Sequence, residues 1–169
     1  MLFRSKFQTP RVFDNLSVIR NLELAAAPVK NPLGLVTDKL PKGVKDEVQH
    51  LLAYVGLAPY ARSQAGSLSH GQKQWLAIAM VVAQSPQLLL LDEPVAGLTD
   101  EETSRTAELI KSLAGEHTVV VIEHDMEFIR ELNAPVTVLH QGTVLTEGFL
   151  DTVKNNPKVI EVYLGQSQD

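Results

Sequence analysis

Leu88-Leu89-Leu90-Leu91-Asp92-Glu93-Pro94 is a run of four leucines that stops on two acids and a proline. A run so short reads as a strand buried on both faces, and the proline ends it. Thr99-Asp100-Glu101-Glu102 follows with capping-box spacing and opens a helix to about Leu113, closed by Gly115. A second apolar, β-branched run, residues 118–122, ends on Glu123-His124-Asp125. Strand, helix and strand of these lengths predict a βαβ crossover, so the two strands are expected to be parallel with their carboxyl ends side by side. The expected fold class is α/β with a mainly parallel sheet.

In open α/β sheets ligands bind at the carboxyl edge of the strands. There the sequence places Asp92-Glu93 on one strand and Glu123-His124-Asp125 on the next, about one crossover unit apart. A carboxylate in that position can hold a magnesium ion through water, and a second can orient or deprotonate an attacking water. A lone strand-end acid more often caps nearby amides, but four leucines running into Asp-Glu-Pro favour the chemical reading. Upstream, Ser69-His70-Gly71-Gln72 has the S-x-x-Q spacing of a capping box ahead of a long apolar helix to about Gln84. Backbone amides at that helix start, with Gly71 allowing close approach and the positive dipole end behind them, suit an anion.

Around this centre, Leu16, Ile19, Leu22 and Ala26 repeat at helical spacing after Asn15 and predict a helix that stops at Pro28. Residues 28–43 are dense in proline and glycine and read as a loop. Val44, Val48, Leu51, Leu52 and Val55 predict a second helix ending at Gly56. Met126, Ile129 and Leu132 give a short helix, and residues 136–140 and 143–146 flank Gln141-Gly142 as a hairpin.

The 169 residues are enough for one substantial core, and 44% apolar with 21% charged side chains is a globular balance. The apolar run 76–83 is far short of the ~20 residues of a membrane span. Residues 1–7 lack the apolar stretch of a signal peptide, so a cytosolic position is expected. The absence of cysteine excludes disulfides, thiolate metal sites and cysteine nucleophiles. Net charge is −5, and residues 1–30 carry five basic and two acidic groups, so the remainder is strongly acidic. Such a chain is a poor partner for a phosphate backbone, and no nucleic acid is expected as the main ligand. His50, His117 and His140 are scattered without zinc-ligand spacing, and Trp75, in register with Ile78 and Val82, reads as core.

Taken together, these residues resemble the ATP-binding cassette (ABC) ATPases. Residues 68–72 resemble the family's signature motif, residues 88–92 its Walker B strand, Glu93 its catalytic glutamate and His124 its switch histidine. Ala96-Gly97-Leu98-Thr99 falls where the D-loop lies, and Phe7-Gln8 where the Q-loop glutamine lies. The wording of residues 68–75, 93–103, 123–128 and 159–165 is most similar to the ATP-binding subunits of urea importers, relatives of the branched-chain amino acid importer ATPases.

The resemblance implies a P-loop NTPase (RecA-like) core with a helical subdomain. It divides the chain into a Q-loop and signature segment (9–85), a Walker B, D-loop and switch-histidine core (86–148) and a tail (149–169). Two subunits would sandwich two ATP molecules, with Mg2+, between them. Asp92 would hold the magnesium, Glu93 would act as general base, and His124 would contact the γ-phosphate. Gln8 would sense magnesium or water, and Ser69, Gly71 and Gln72 would bind the γ-phosphate held by the partner ATPase subunit. Transmembrane permease subunits would be the other partners, at the cytoplasmic face of the plasma membrane. The chain departs from the family in one large respect: no glycine is followed by lysine, so there is no G-x-x-x-x-G-K-[ST] phosphate loop. The expectation is a truncated ATPase that lacks the central Walker A strand and does not turn over ATP alone, or else a non-catalytic module that completes a partner's site. His70 in place of the usual signature glycine, and Thr99 in place of the D-loop aspartate, are smaller departures; Thr99 is expected to be a helix cap.

Overall fold

The computed structural model describes residues 3–6, 11–27 and 41–164, with the backbone alone at 3–6 and 164. It divides into two units, residues 1–123 and 124–169.

In the first unit, β1 (Phe3–Lys6), β2 (Leu88–Asp92) and β3 (Thr118–Ile122) form a parallel sheet in the order β1-β2-β3. Leu91 of β2 is in register with Lys6 on one side and Val121 on the other. The helix α4 (Asp100–Leu113) links β2 to β3, so the expected crossover and its parallel strands are present. Burial differs from expectation. Leu89 and Leu91 are fully buried, but Leu88 and Leu90 on the other face are only half-buried. The alternation continues on β3, where Val120 and Ile122 are exposed. A four-leucine run cannot distinguish one covered face from two, because it is apolar at every position.

Three helices carry the other part of this core: α1 (Val18–Ala26), α2 (Lys42–Tyr54) and α3 (His70–Val82). Val18, Leu22, Val48, Leu52, Leu57, Leu76 and Ile78 are inaccessible to solvent. The first helix starts later than the Asn15 pattern predicts. Ser17 is its N-cap, accepting from the Arg20 amide at 3.3 Å. Buried Asn21 holds the preceding turn: its amide donates to the Phe13 and Ser17 carbonyls at 3.1 and 3.0 Å, and its oxygen accepts from the Phe13 N–H at 2.8 Å. Leu16 is left on the outside of that turn, 39% exposed, so it is not part of the helix face. Gly56 ends α2 with φ +71°, a conformation that favours glycine, and an added Cβ there would have to displace the Arg105 guanidinium.

The second unit begins with His124. Asp125 caps α5 (Met126–Leu132), its Oδ1 accepting from the Glu127 and Phe128 amides at 2.9 and 3.0 Å. The ordinary role of a strand-end acid is thus realised at Asp125. Phe128 is fully buried, and Asn133 closes the helix in the left-handed region. The antiparallel pair β4 (Val136–His140) and β5 (Thr143–Gly148) turns on Gln141 and Gly142, both at positive φ, as a tight two-residue hairpin requires. Two short helices, α6 (Leu150–Val153) and α7 (Pro157–Val159), and a π-helical turn (Ile160–Leu164) follow.

Candidate active site

The parallel pairing of β2 and β3 sets Asp92 directly beside Ile122 and brings the two acid-bearing ends together. Beyond Asp92 the chain turns sharply. Glu93 is in the left-handed region (φ +46°), rare for a residue with a side chain, and its N–H donates to the Ile122 carbonyl at 2.9 Å. Such a backbone persists only where neighbours over-determine it, and it occurs preferentially at functional sites. Here they do. Glu123 Oε1 accepts from the Val95 N–H at 3.3 Å, and the Ala96 N–H donates to the Glu93 carbonyl at 3.3 Å. Asp92 and Glu93 are half-buried. Pro94 and Val95, which follow them, are buried.

Of the residues expected at the site, Asp92 and Glu93 lie together at this edge with Glu123. His124 follows Glu123 in the chain and opens the second unit. Gln8 lies outside the described residues.

Ser69, Gly71 and Gln72 form the start of α3. The capping box is complete: Ser69 Oγ accepts from the Gln72 N–H at 3.2 Å, and Gln72 Oε1 accepts from the Ser69 N–H at 3.0 Å. An anion already stands against this helix end, the carboxylate of Glu102. Its Oε1 accepts from Ser69 Oγ at 3.4 Å, while its Oε2 accepts from the Thr99 N–H at 3.2 Å in the capping box of α4. Thr99 is therefore a cap, as expected, and one carboxylate serves two helix starts. A Cβ on Gly71 would lie 2.4 Å from Glu102 Oε1, so the glycine makes room for that carboxylate. The double role of Glu102 escapes the sequence reading. Its spacing from Thr99 is local and legible, but its contact with Ser69 spans 33 residues.

A direct consequence concerns stability. Gly71→Ala is expected to push Glu102 off the Thr99 N–H and cost about 0.5–1.5 kcal/mol, the usual net value of a hydrogen bond. Glu102→Ala is expected to cost a similar amount, and the double variant no more than the larger single, as read by thermal unfolding. Additive losses would show that Gly71 and Glu102 act independently.

Known proteins resemble the chain over nearly its whole length. The ABC transporter family profile matches residues 3–96, more than half of the chain. The high-affinity branched-chain amino acid transport ATP-binding protein LivG of Salmonella typhimurium is 36% identical over 171 residues, covering 95% of this chain and 67% of that protein. Its counterpart BraF of Pseudomonas aeruginosa is 34% identical over 170 residues, with the same coverage. Among solved structures, MJ1267, an ATP-binding cassette of an ABC transporter in its ADP conformation, superposes with a TM-score of 0.78 at 25% identity, over 96% of this chain and 68% of that one. CbiO1 of Clostridium perfringens, part of the ABC transporter complex cbiONQ, gives 0.73 at 28% identity, over 93% and 61%. The P-loop NTPase fold expected from the motifs is the fold of these cassettes. The chain belongs to the ABC transporter family, as an ATP-binding domain close to the branched-chain amino acid importer ATPases.

Proposed function

We propose that this chain works as the ATP-binding part of an ABC importer and contributes its base and its signature helix to a two-ATP sandwich. The observation that carries the proposal is the turn after β2, which holds Glu93 in a strained conformation at the carboxyl edge beside Asp92. Full-length members of the family hydrolyse ATP, and the residues here fit that chemistry. Glu93 is the general base that takes a proton from the attacking water, and a carboxylate positioned for this contributes about 10²–10⁴-fold. His124 contacts the γ-phosphate, and Gln8 senses the same centre. Ser69, Gly71 and Gln72 present the start of α3 to the ATP held by the partner subunit, a task that requires Glu102 to give way or to share the site.

Magnesium fits the donors present. Among the described residues no group of three or more His, Asp or Glu could hold a metal by itself. One strand-end carboxylate, Asp92, is what an ion that keeps its waters and takes substrate phosphates requires. Bound there, the ion would neutralise charge on the transferring phosphate.

No phosphate loop occurs in the 169 residues, and that loop supplies the lysine and amides that cradle the β- and γ-phosphates. The chain alone is therefore expected to show no turnover. Mixed with an ABC ATPase subunit that carries the loop, it is expected to associate only in the presence of MgATP, as read by sedimentation velocity. Association indifferent to nucleotide would contradict the sandwich role.

Among the described residues no helix is long and apolar enough to cross a membrane. The relatives are ATP-binding parts of ABC transporters, which supports attachment through permease subunits at the cytoplasmic face. For the solute, the branched-chain importer relatives support a branched-chain amino acid. The wording of residues 68–75 and 93–103 supports urea as the second reading. In the assembled importer, leucine-loaded binding protein stimulates ATP hydrolysis under the first reading and urea-loaded binding protein under the second.

A further inference from the structure

We propose that Gln74 is a positioning residue for Glu93, a role that rests on the ATPase reading above. Gln74 lies in α3 with only 2% of its surface exposed. A glutamine buried in a helix is costly unless its amide is bonded. Its Nε2 donates to the Pro94 carbonyl at 2.7 Å, a buried bond across 20 residues. Proline has no N–H, so this carbonyl is the one polar backbone group of the residue that follows Glu93.

His70 adds a second hold. It lies one helical turn before Gln74, on the same face of α3. Its Nε2 is 3.1 Å from the Ala96 carbonyl, which can only accept, so that nitrogen carries the proton. The turn at residues 93–96 is thus gripped from two sides. β3 and Glu123 bond the Glu93 and Val95 N–H groups, and α3 bonds the Pro94 and Ala96 carbonyls. The left-handed Glu93 stays in place only while that grip lasts. One consequence follows for the reaction. The helix that serves the partner's ATP and the turn that aims this subunit's base are fastened together, so a change at one is felt at the other.

The test compares Gln74→Leu with Thr106→Val. The latter removes the acceptor of the Trp75 indole N–H, a buried bond of the same helix, and does not touch the turn. Two measurements are made. In nucleotide-free protein, amide hydrogen exchange of residues 93–98 is expected to speed up by about tenfold or more in Gln74→Leu and to stay unchanged in Thr106→Val. In the assembled transporter, Gln74→Leu is expected to lower kcat by about 10–100-fold, since an ångström of misplacement costs about 10². KM for ATP should stay within about twofold, and Thr106→Val should leave kcat near wild type.

Unchanged exchange in Gln74→Leu overturns the proposal. So does faster exchange with normal kcat, or an equal loss of kcat in both variants, which marks a structural role only. If the wild-type assembly shows no ATPase activity, it is the ATPase reading that falls, and the exchange data alone decide whether Gln74 holds the turn.

Discussion

Replacing Glu93 by glutamine is expected to leave ATP binding intact in the assembled transporter while slowing hydrolysis by about 10²–10⁴-fold, the usual contribution of a positioned general base. The two side chains have the same shape, so the strained backbone and its bond from the Glu93 N–H to the Ile122 carbonyl are retained. What is lost is the ability to accept a proton. Nucleotide affinity comes mainly from phosphate contacts made elsewhere, so Kd for ATP should move by less than about threefold. The measurements are equilibrium nucleotide binding and steady-state phosphate release. Near-normal turnover would remove Glu93 from the role of base, and a parallel loss of binding would mean that the variant disturbs the fold.

The second large effect is structural. Trp75 is 6% exposed, its indole N–H donates to Thr106 Oγ1 at 3.0 Å, and the Arg105 guanidinium stacks 4.1 Å over the ring. Arg105 also donates to the Val55 carbonyl at the end of α2, so the ring sits where three helices meet. An open surface pocket of about 290 Å³ already borders it, lined also by Tyr54, Glu108 and Leu109. Trp75→Ala would enlarge that space and is expected to cost about 3–5 kcal/mol, a large part of the ~5–15 kcal/mol that stabilises an ordinary domain. At about 2–4 °C per kcal/mol, the melting temperature should fall by roughly 6–20 °C. Circular dichroism melts check this, and a fall below about 2 °C would show that the ring is not part of the core.

Local signals in the sequence are the ones the structure reproduces. The Ser69 and Thr99 capping boxes, the β2-α4-β3 crossover and the Gln141-Gly142 hairpin depend on residues within a few positions of one another or on plain periodicity. Phe3–Lys6 is not legible as a strand, because Phe-Arg-Ser-Lys has no apolar alternation. It is β1 because its backbone pairs with Leu88–Leu91, a partner about 85 positions away. The late start of α1 has a similar origin, since Asn21 folds back on residues 13–17 and decides where the helix begins. At the site, the acids were legible as the end of an apolar run. The bonds that Gln74 and Glu123 make to their turn are not, because each acts across 20 to 28 residues through a single side chain, and the same holds for the contact of Glu102 with Ser69 across 33.

In the function proposed above, the ends of β2 and β3 serve one nucleoside triphosphate. The most direct measurement is a crystal structure of the assembled ATPase carrying Glu93→Gln with MgATP bound. The residue 93 side chain is expected within about 2.6–3.2 Å of the water that faces the γ-phosphate, with the His124 ring against the same phosphate. A structure with residue 93 turned away from that water, or with His124 on the far side of the domain from the nucleotide, would contradict it.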